Sequence, residues 1–317
     1  MYKKLFALLC CFIPTFSYGA VDDLITEAQD TFNAAKMVCF GISDEISKVS
    51  NISKINTAVT GVGTIASGGA LVAGIKKSQE EQEIDRLVEK ICEAGGCTPE
   101  GVESMSDEYF FNNVMPPMAE IAELQERLER SKKLGNWRTG LMAGTIGTNV
   151  ASAIISGVNR NQSELTQHVQ ACNEAVKLVN NMSNKLKLEG VNPLKNPIMK
   201  QLSNVNTWCN NINIADIEKI EKRMTGVMGT SIAGAVIGVA GTATSAAANS
   251  DKYMDEQNRM NLTEQEKNKK DNLNTASNVM AGANVVTGAV ETGLNISLIT
   301  LTKKLIKQAE QCEEVFE

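Results

Sequence analysis

Residues 224–250 read "MTGVMGTSIAGAVIGVAGTATSAAANS", 27 residues without one formal charge. Apart from a few Val, Ile and Met, nearly every position is Gly, Ala, Ser, Thr or Asn. Such a stretch either crosses a membrane or lets two helices pack unusually close in water. Placed on a helix, every fourth residue is small: Gly226, Thr230, Gly234, Gly238, Thr242, Ala246 and Ser250. Residues four apart share a helix face, and small side chains there let two backbones approach. Glycine costs up to about 1 kcal/mol in an ordinary helix, so several in one arm require a compensating contact. Gly140, Gly144, Thr148, Ser152 and Ser156 repeat the pattern in a second segment. Two helix-packing faces are therefore predicted. Gly234 and Gly238 are expected to touch the returning arm 276–292, with Gly241 lying off the face.

The flanking sequence is helical in pattern. Leu165, Val169, Cys172, Val176, Val179 and Leu186 alternate steps of four and three, with Ser183 the one polar place. Leu298, Leu301, Leu305, Ala309, Cys312 and Phe316 do the same near the C-terminus. Both are seams of the coiled-coil or bundle type. The six prolines punctuate: Pro117 precedes "MAEIAELQERLERSKK", Pro193 and Pro197 sit in "EGVNPLKNP", and 198–317 has none. Proline followed by acidic residues is a helix start. No alternating run of β-branched and aromatic residues suggests a strand, and aromatics make up only 4%. The fold class is all-α, built from long antiparallel helical hairpins.

The chain also resembles itself. "TGVGTIASGGALVAG" from Thr60 matches "TGVMGTSIAGAVIGVAG" from Thr225, and "MAGTIGTNVASAIISG" from Met142 matches "MAGANVVTGAVETG" from Met280. A cysteine precedes the first arm of each pair (Cys39, Cys209) and another follows the second (Cys172, Cys312). This ordered series suggests two pseudo-repeats with close-packed Gly/Ala/Ser/Thr-rich arms. The expected organisation is a signal peptide at 1–20, a first hairpin at 21–190 with a long charged tip at 76–138, a Pro/Asn-rich linker at 191–200, and a second hairpin at 201–317, its tip at 251–271.

"MYKKLFALLCCFIPTFSYGA" has the basic start, short apolar core and small-residue end of a secretory signal. The expected destination is the periplasm or envelope of a bacterium, membrane-associated or secreted. Six cysteines remain after 1–20, an even number that fits a disulfide framework in an exported chain. If the repeats close alike, the pairs are Cys39–Cys172, Cys209–Cys312 and, at the tip, Cys92–Cys97.

The chemistry-bearing motifs are weak. "GVGTIA" at 61–66 matches a dinucleotide fingerprint but lacks the strand and βαβ unit that signal needs. His168 is the sole histidine, set beside a seam, and cannot complete the common His-based zinc sites. "KKSQEEQEIDR" and "EQEKNKKD" are read as solvated helix faces or tips. The net charge of −6 and the absence of a basic run argue against nucleic acid. No catalytic residue, metal, cofactor or small-molecule substrate is predicted; a protein partner or self-association is.

The expected function is an exported, non-enzymatic envelope protein, a helical scaffold or assembly subunit working through helix packing. The alternative is a membrane-inserting or multi-span, pore- or channel-like protein using four small-residue helices. Few strong apolar residues in 225–243, and Glu291 in the fourth arm, tilt the sequence toward packed helices in water. A chain soluble when secreted and inserting on assembly satisfies both readings.

Overall fold

The computed structural model describes residues 21–93, 118–161, 164–192, 195–210, 212–255, 258 and 262–317, and among these there is helix and no strand. The expected signal segment and Cys97 lie outside them. The helices are α1 (Val21–Cys39), α2 (Ile42–Ile91), α3 (Met118–Asn161), α4 (Glu164–Leu188), α5 (Pro197–Cys209), α6 (Ile214–Ala248), a single turn α7 (Asp251–Met254) and α8 (Glu264–Glu313), closed by a 3-10 turn at Glu314–Phe316. Helices α2 and α8 each run 50 residues. The all-α class with long antiparallel helices is what the chain adopts.

The described parts of the charged tip at 76–138 are helix continuous with α2 and α3, because Ile84, Leu87, Val88 and Ile91 of α2 bury against Leu124 and Leu128 of α3. The linker at 191–200 is partly helix: Asn196 caps α5, its side chain accepting from the Ile198 and Met199 amides, with Pro197 in the first turn. Ile198 and Met199 are buried, so this segment belongs to a core. Finally, the compact units interleave along the chain instead of following the two repeats. Of the described residues, those within 21–47, 164–218 and 303–317 gather in one unit, and those within 48–161 and 219–302 in the other.

The first unit has a conventional apolar core. Leu165, Val169, Cys172, Val176, Val179, Ser183 and Leu186 form one buried seam on α4. Phe32 of α1 meets Phe316 with ring centroids 5.3 Å apart. Cys39 is bonded to Cys172 and Cys209 to Cys312, with S–S distances of 2.00 and 1.99 Å. Cys92, in the other unit, is also disulfide-bonded. Two glycines supply left-handed backbone: Gly41 (φ 89°) between α1 and α2, and Gly190 (φ 78°) beyond α4. At the latter the Val191 amide donates to the Leu186 carbonyl and Gly190 to Lys187, a Schellman closure.

The second unit is a four-helix bundle of α2, α3, α6 and α8. Asn56 contacts Ser156 while Ser67 contacts Thr145, so α2 and α3 are antiparallel. Ser152 meets Ser231 while Thr139 meets Ser245, which sets α6 antiparallel to α3. Thr60 meets Thr292 and Lys77 meets Asn274, which sets α8 antiparallel to α2. The order is up-down-up-down.

The buried residues of each helix alternate steps of three and four. On α6 they are Met224, Val227, Ser231, Gly234, Gly238, Gly241, Ser245 and Ala248. The predicted period-four stripe is corrected accordingly. Gly234 and Gly238 are buried, but Gly226, Thr230 and Thr242 are only partly buried. A row of strict four-residue steps winds around a helix, whereas alternating threes and fours keep one face toward a neighbour. On α3, Ser152 is buried and Thr148 partly so, but Gly140 and Gly144 are exposed with open space where a Cβ would stand. Near the C-terminus the seam takes Thr302 in place of the expected Leu301, which is only partly buried. The matched words of the repeat also differ in register: Thr60 is buried and Thr225 exposed.

Candidate functional site

The middle of the bundle inverts the usual polarity of a helical core. From Asn56 to Glu81, the buried positions of α2 are Asn56, Thr60, Gly63, Ser67, Ala70, Ala73, Gly74, Lys77 and Glu81. Those of α3 over the same levels are Ser131, Gly135, Arg138, Met142, Thr145, Asn149, Ser152 and Ser156. Helix α8 contributes Lys270, Asn274, Ser277, Ala281, Asn284, Gly288, Glu291 and Asn295. The large aliphatic side chains point the other way. Ile55, Val62, Ile65, Val72, Ile75, Val150, Ile154, Val158, Ile232, Val236, Val239, Val279, Val286, Val290 and Ile296 are between 44% and 77% exposed. Elsewhere among the described residues only Met37, Phe40, Trp137, Leu178, Leu188 and Trp208 are comparably exposed.

The interior is bonded layer by layer. Asn56 Nδ2 donates to Ser156 Oγ at 3.1 Å and lies 3.5 Å from Asn295 Oδ1. One layer on, the Ser152 and Ser231 hydroxyls lie 2.9 Å apart, and both bond to Glu291 Oε1. Ser67 and Thr145 share a hydrogen bond at 3.1 Å. An apolar layer of Ala70, Met142 and Ala281 interrupts the series. Beyond it, Arg138 Nη2 donates to the Asn274 carbonyl at 3.0 Å. Lys77 pairs with Glu81 at 2.7 Å and donates to Asn274 Oδ1 at 3.1 Å, while Asn274 Nδ2 donates to Glu81 at 2.6 Å. Lys270 is wholly buried, 3.4 Å from Glu81. The charged words read as solvated faces thus place Lys77, Glu81 and Lys270 inside the bundle.

Glycine makes these layers narrow. A Cβ at Gly234 would stand 2.5 Å from Asn149 Nδ2, and one at Gly238 would stand 2.9 Å from Ile146 Cγ1. Both neighbours belong to α3, so the close contact is chiefly with the second arm; the expected returning arm 276–292 enters through Asn284, 3.4 Å from the Gly238 position. Gly241, expected to lie off the face, is buried against Met142 and Met280.

The remaining candidates build no second site. "GVGTIA" sits mid-helix in α2 with Gly63 in the buried seam, and no strand-to-helix turn exists there to cradle a phosphate. His168 Nδ1 lies 3.2 Å from Glu45 Oε1 at the edge of the first unit. The sulfurs of Cys39, Cys172 and Cys312 lie within 4.8 Å of one another, but all three are in disulfides and offer no thiolate to a metal.

The polar seam went unrecognised in the sequence because its residues suggest solvent. The available signal was the complementary face: Ile55, Val62, Ile65, Val72 and Ile75 recur in steps of seven and three inside a charge-free stretch. Four described helices are long and apolar enough to cross a membrane, with mean hydropathy of 1.3–1.6 over their best windows and at most 33% of each window buried. No protein-family model, curated protein or solved structure matches this chain.

Proposed function

We propose that this is an exported, non-enzymatic envelope protein whose four-helix bundle spans a lipid bilayer. The observation that supports it is the inverted polarity: Asn, Ser, Thr and Glu291 inside, Val and Ile outside, at one common level of the bundle. In water that arrangement exposes apolar surface and buries groups that prefer hydration. In lipid both preferences reverse. Residues 55–75 and 139–158 carry no charge, 224–250 none, and 272–302 only Glu291, which faces the core. About 20 helical residues cover the roughly 30 Å of a bilayer's hydrocarbon. Lys54 and Lys76 bracket the first of these stretches, and Trp137, 72% exposed, stands at the edge of the second. Such residues suit the headgroup region. This reading takes the place of the water-soluble scaffold, because helices packed in water need their aliphatic side chains inside.

The disulfides support insertion after export. Cys39–Cys172 and Cys209–Cys312 join segments that precede or follow the charge-free stretches, whereas Cys92 lies past the far end of the first. Bridges beyond both ends require an oxidising environment for both. A chain threaded into the cytoplasmic membrane during synthesis leaves one end reduced. One that is exported whole and then inserts does not.

Carbonate extraction of vesicles incubated with the purified full chain tests the proposal. Retention in the pellet is the expected result. Quantitative release into the soluble fraction would return the protein to the scaffold reading.

A further inference from the structure

We propose that the axis of the bundle is a path for small inorganic anions, shut in this conformation by Met142. The inference rests on the membrane-spanning reading and assigns that bundle a cargo and a gate.

The interior holds polar atoms that the protein leaves unsatisfied. Asn56 Oδ1, Asn295 Nδ2 and both polar atoms of Asn284 are buried without a hydrogen bond, on residues 2%, 1% and 2% exposed. Buried amides without partners are costly, and a row of them along one axis marks groups built to bond water. At the Asn56–Asn295 layer there is already a cavity of about 10 Å³, room for one water molecule. Apart from Asn149, Asn284 and Glu291, the buried positions between the Asn56 layer and Met142 are Gly, Ser and Thr, so a small outward shift of the helices widens the axis along polar and small side chains.

Met142 is the exception. Among the described residues it is the one large apolar side chain fully buried between the Asn56 layer and the Lys77 layer. It lies across the axis with Ala70 and Ala281, and Gly241 leaves space for its methyl end. The result is a dry plug one layer thick between two polar halves. Apolar constrictions of this kind close channels by excluding water.

The charge beside the plug selects the ion. Arg138, one turn from Met142 on α3, is fully buried; it donates one hydrogen bond to a backbone carbonyl and leaves Nε without a partner. It makes no ion pair among the described residues. A fixed guanidinium with spare donors favours a passing anion, as rings of Arg and Lys do in anion pores. On the other side of the plug, Glu291 is already held by Ser152 and Ser231.

The test uses the full chain in phosphatidylcholine vesicles, with chloride and potassium fluxes measured separately and insertion scored on the same vesicles by carbonate extraction. The wild type is expected to be nearly shut. Met142→Ala should raise chloride flux on the order of tenfold over potassium, and Met142→Leu should stay shut. Adding Arg138→Gln to the open variant should abolish the preference for chloride. If Met142→Ala loses its helical circular dichroism, Ala281→Ser wets the same layer and serves in its place. An inserted open-layer variant without added flux, or one that prefers potassium, overturns the anion path while leaving the membrane reading intact. Release of the wild type by carbonate overturns both.

Discussion

Gly238 and Gly241 lie three residues apart on α6 and both face the bundle interior, which a period of four does not allow. Each is held close by a different neighbour: Ile146 for Gly238, and Met142 with Met280 for Gly241. Substitution by leucine at either position should therefore overpack the core and cost about 1–3 kcal/mol. Gly144 provides the contrast. It is exposed, nothing stands within 4 Å of its missing Cβ, and its backbone is helical. Gly144→Ala should raise stability by up to about 1 kcal/mol through helix propensity alone. Thermal unfolding of the three purified variants in detergent compares them directly. A harmless Gly241→Leu beside a damaging Gly144→Ala would restore the straight stripe and remove the alternating seam.

At the scale of the element, the start of α8 shows local sequence and tertiary contact acting together. Thr263 and Glu266 form a capping box: the Thr263 amide donates to Glu266 Oε2 at 3.1 Å, and the Glu266 amide donates to Thr263 Oγ1 at 3.3 Å. Lys252, on α7, adds an ion pair at 2.6 Å. The Lys252 ammonium, with the Thr263 amide, holds the Glu266 carboxyl down to about 2 from its ordinary 4.5. A carboxyl lowered by folding contributes stability above its unfolded value and loses it as pH falls through the folded one. The first-turn amides of α8 should therefore exchange faster as pH drops from about 4.5 toward 2, after correction for intrinsic rates, and Glu266→Gln should flatten that dependence. An unchanged profile in the variant would assign the effect to another group. This box is legible in the words Thr263 to Glu266, as is the seam from Leu165 to Leu186, because both use residues in their commonest roles. The polar seams of the bundle were not legible in the same way. Apolar periodicity marks a core face in water, and in this bundle the apolar face points outward; the words that hold Lys77, Glu81 and Lys270 suggest solvent because charge in a helix usually faces it. Gly234 and Gly238 belong both to the period-four row and to the alternating seam, as does Ser152 on α3, whereas Gly241, Asn284 and Arg138 lie on the seam alone.

For the whole molecule, the two units should depend on different supports. The first has an apolar core and two bridges closing 133- and 103-residue separations, each worth about 5 kcal/mol in the chain-entropy model. The second buries amides, hydroxyls and charges through its middle and turns its Val and Ile outward, so on the proposed membrane-spanning reading its stability comes from an apolar surrounding. The two tryptophans divide between them, Trp208 in the first unit and Trp137 in the second. Trp137→Phe leaves a reporter of the bridged unit, and Trp208→Phe leaves a reporter of the bundle. In aqueous buffer the Trp137 signal should melt at the lower temperature. Detergent or lipid should raise that transition by many degrees and barely move the Trp208 transition. A reductant should lower the Trp208 transition, whose unit rests on two long-range bridges, more than the Trp137 transition, whose unit holds the Cys92 bridge and is kept in place by lipid. Crossed responses of this kind follow only if burial of polar groups, and not a weak apolar core, limits the bundle in water. A single transition seen by both tryptophans, shifted alike by lipid and reductant, would mean that the units unfold as one and that the outward Val and Ile have no need of a membrane.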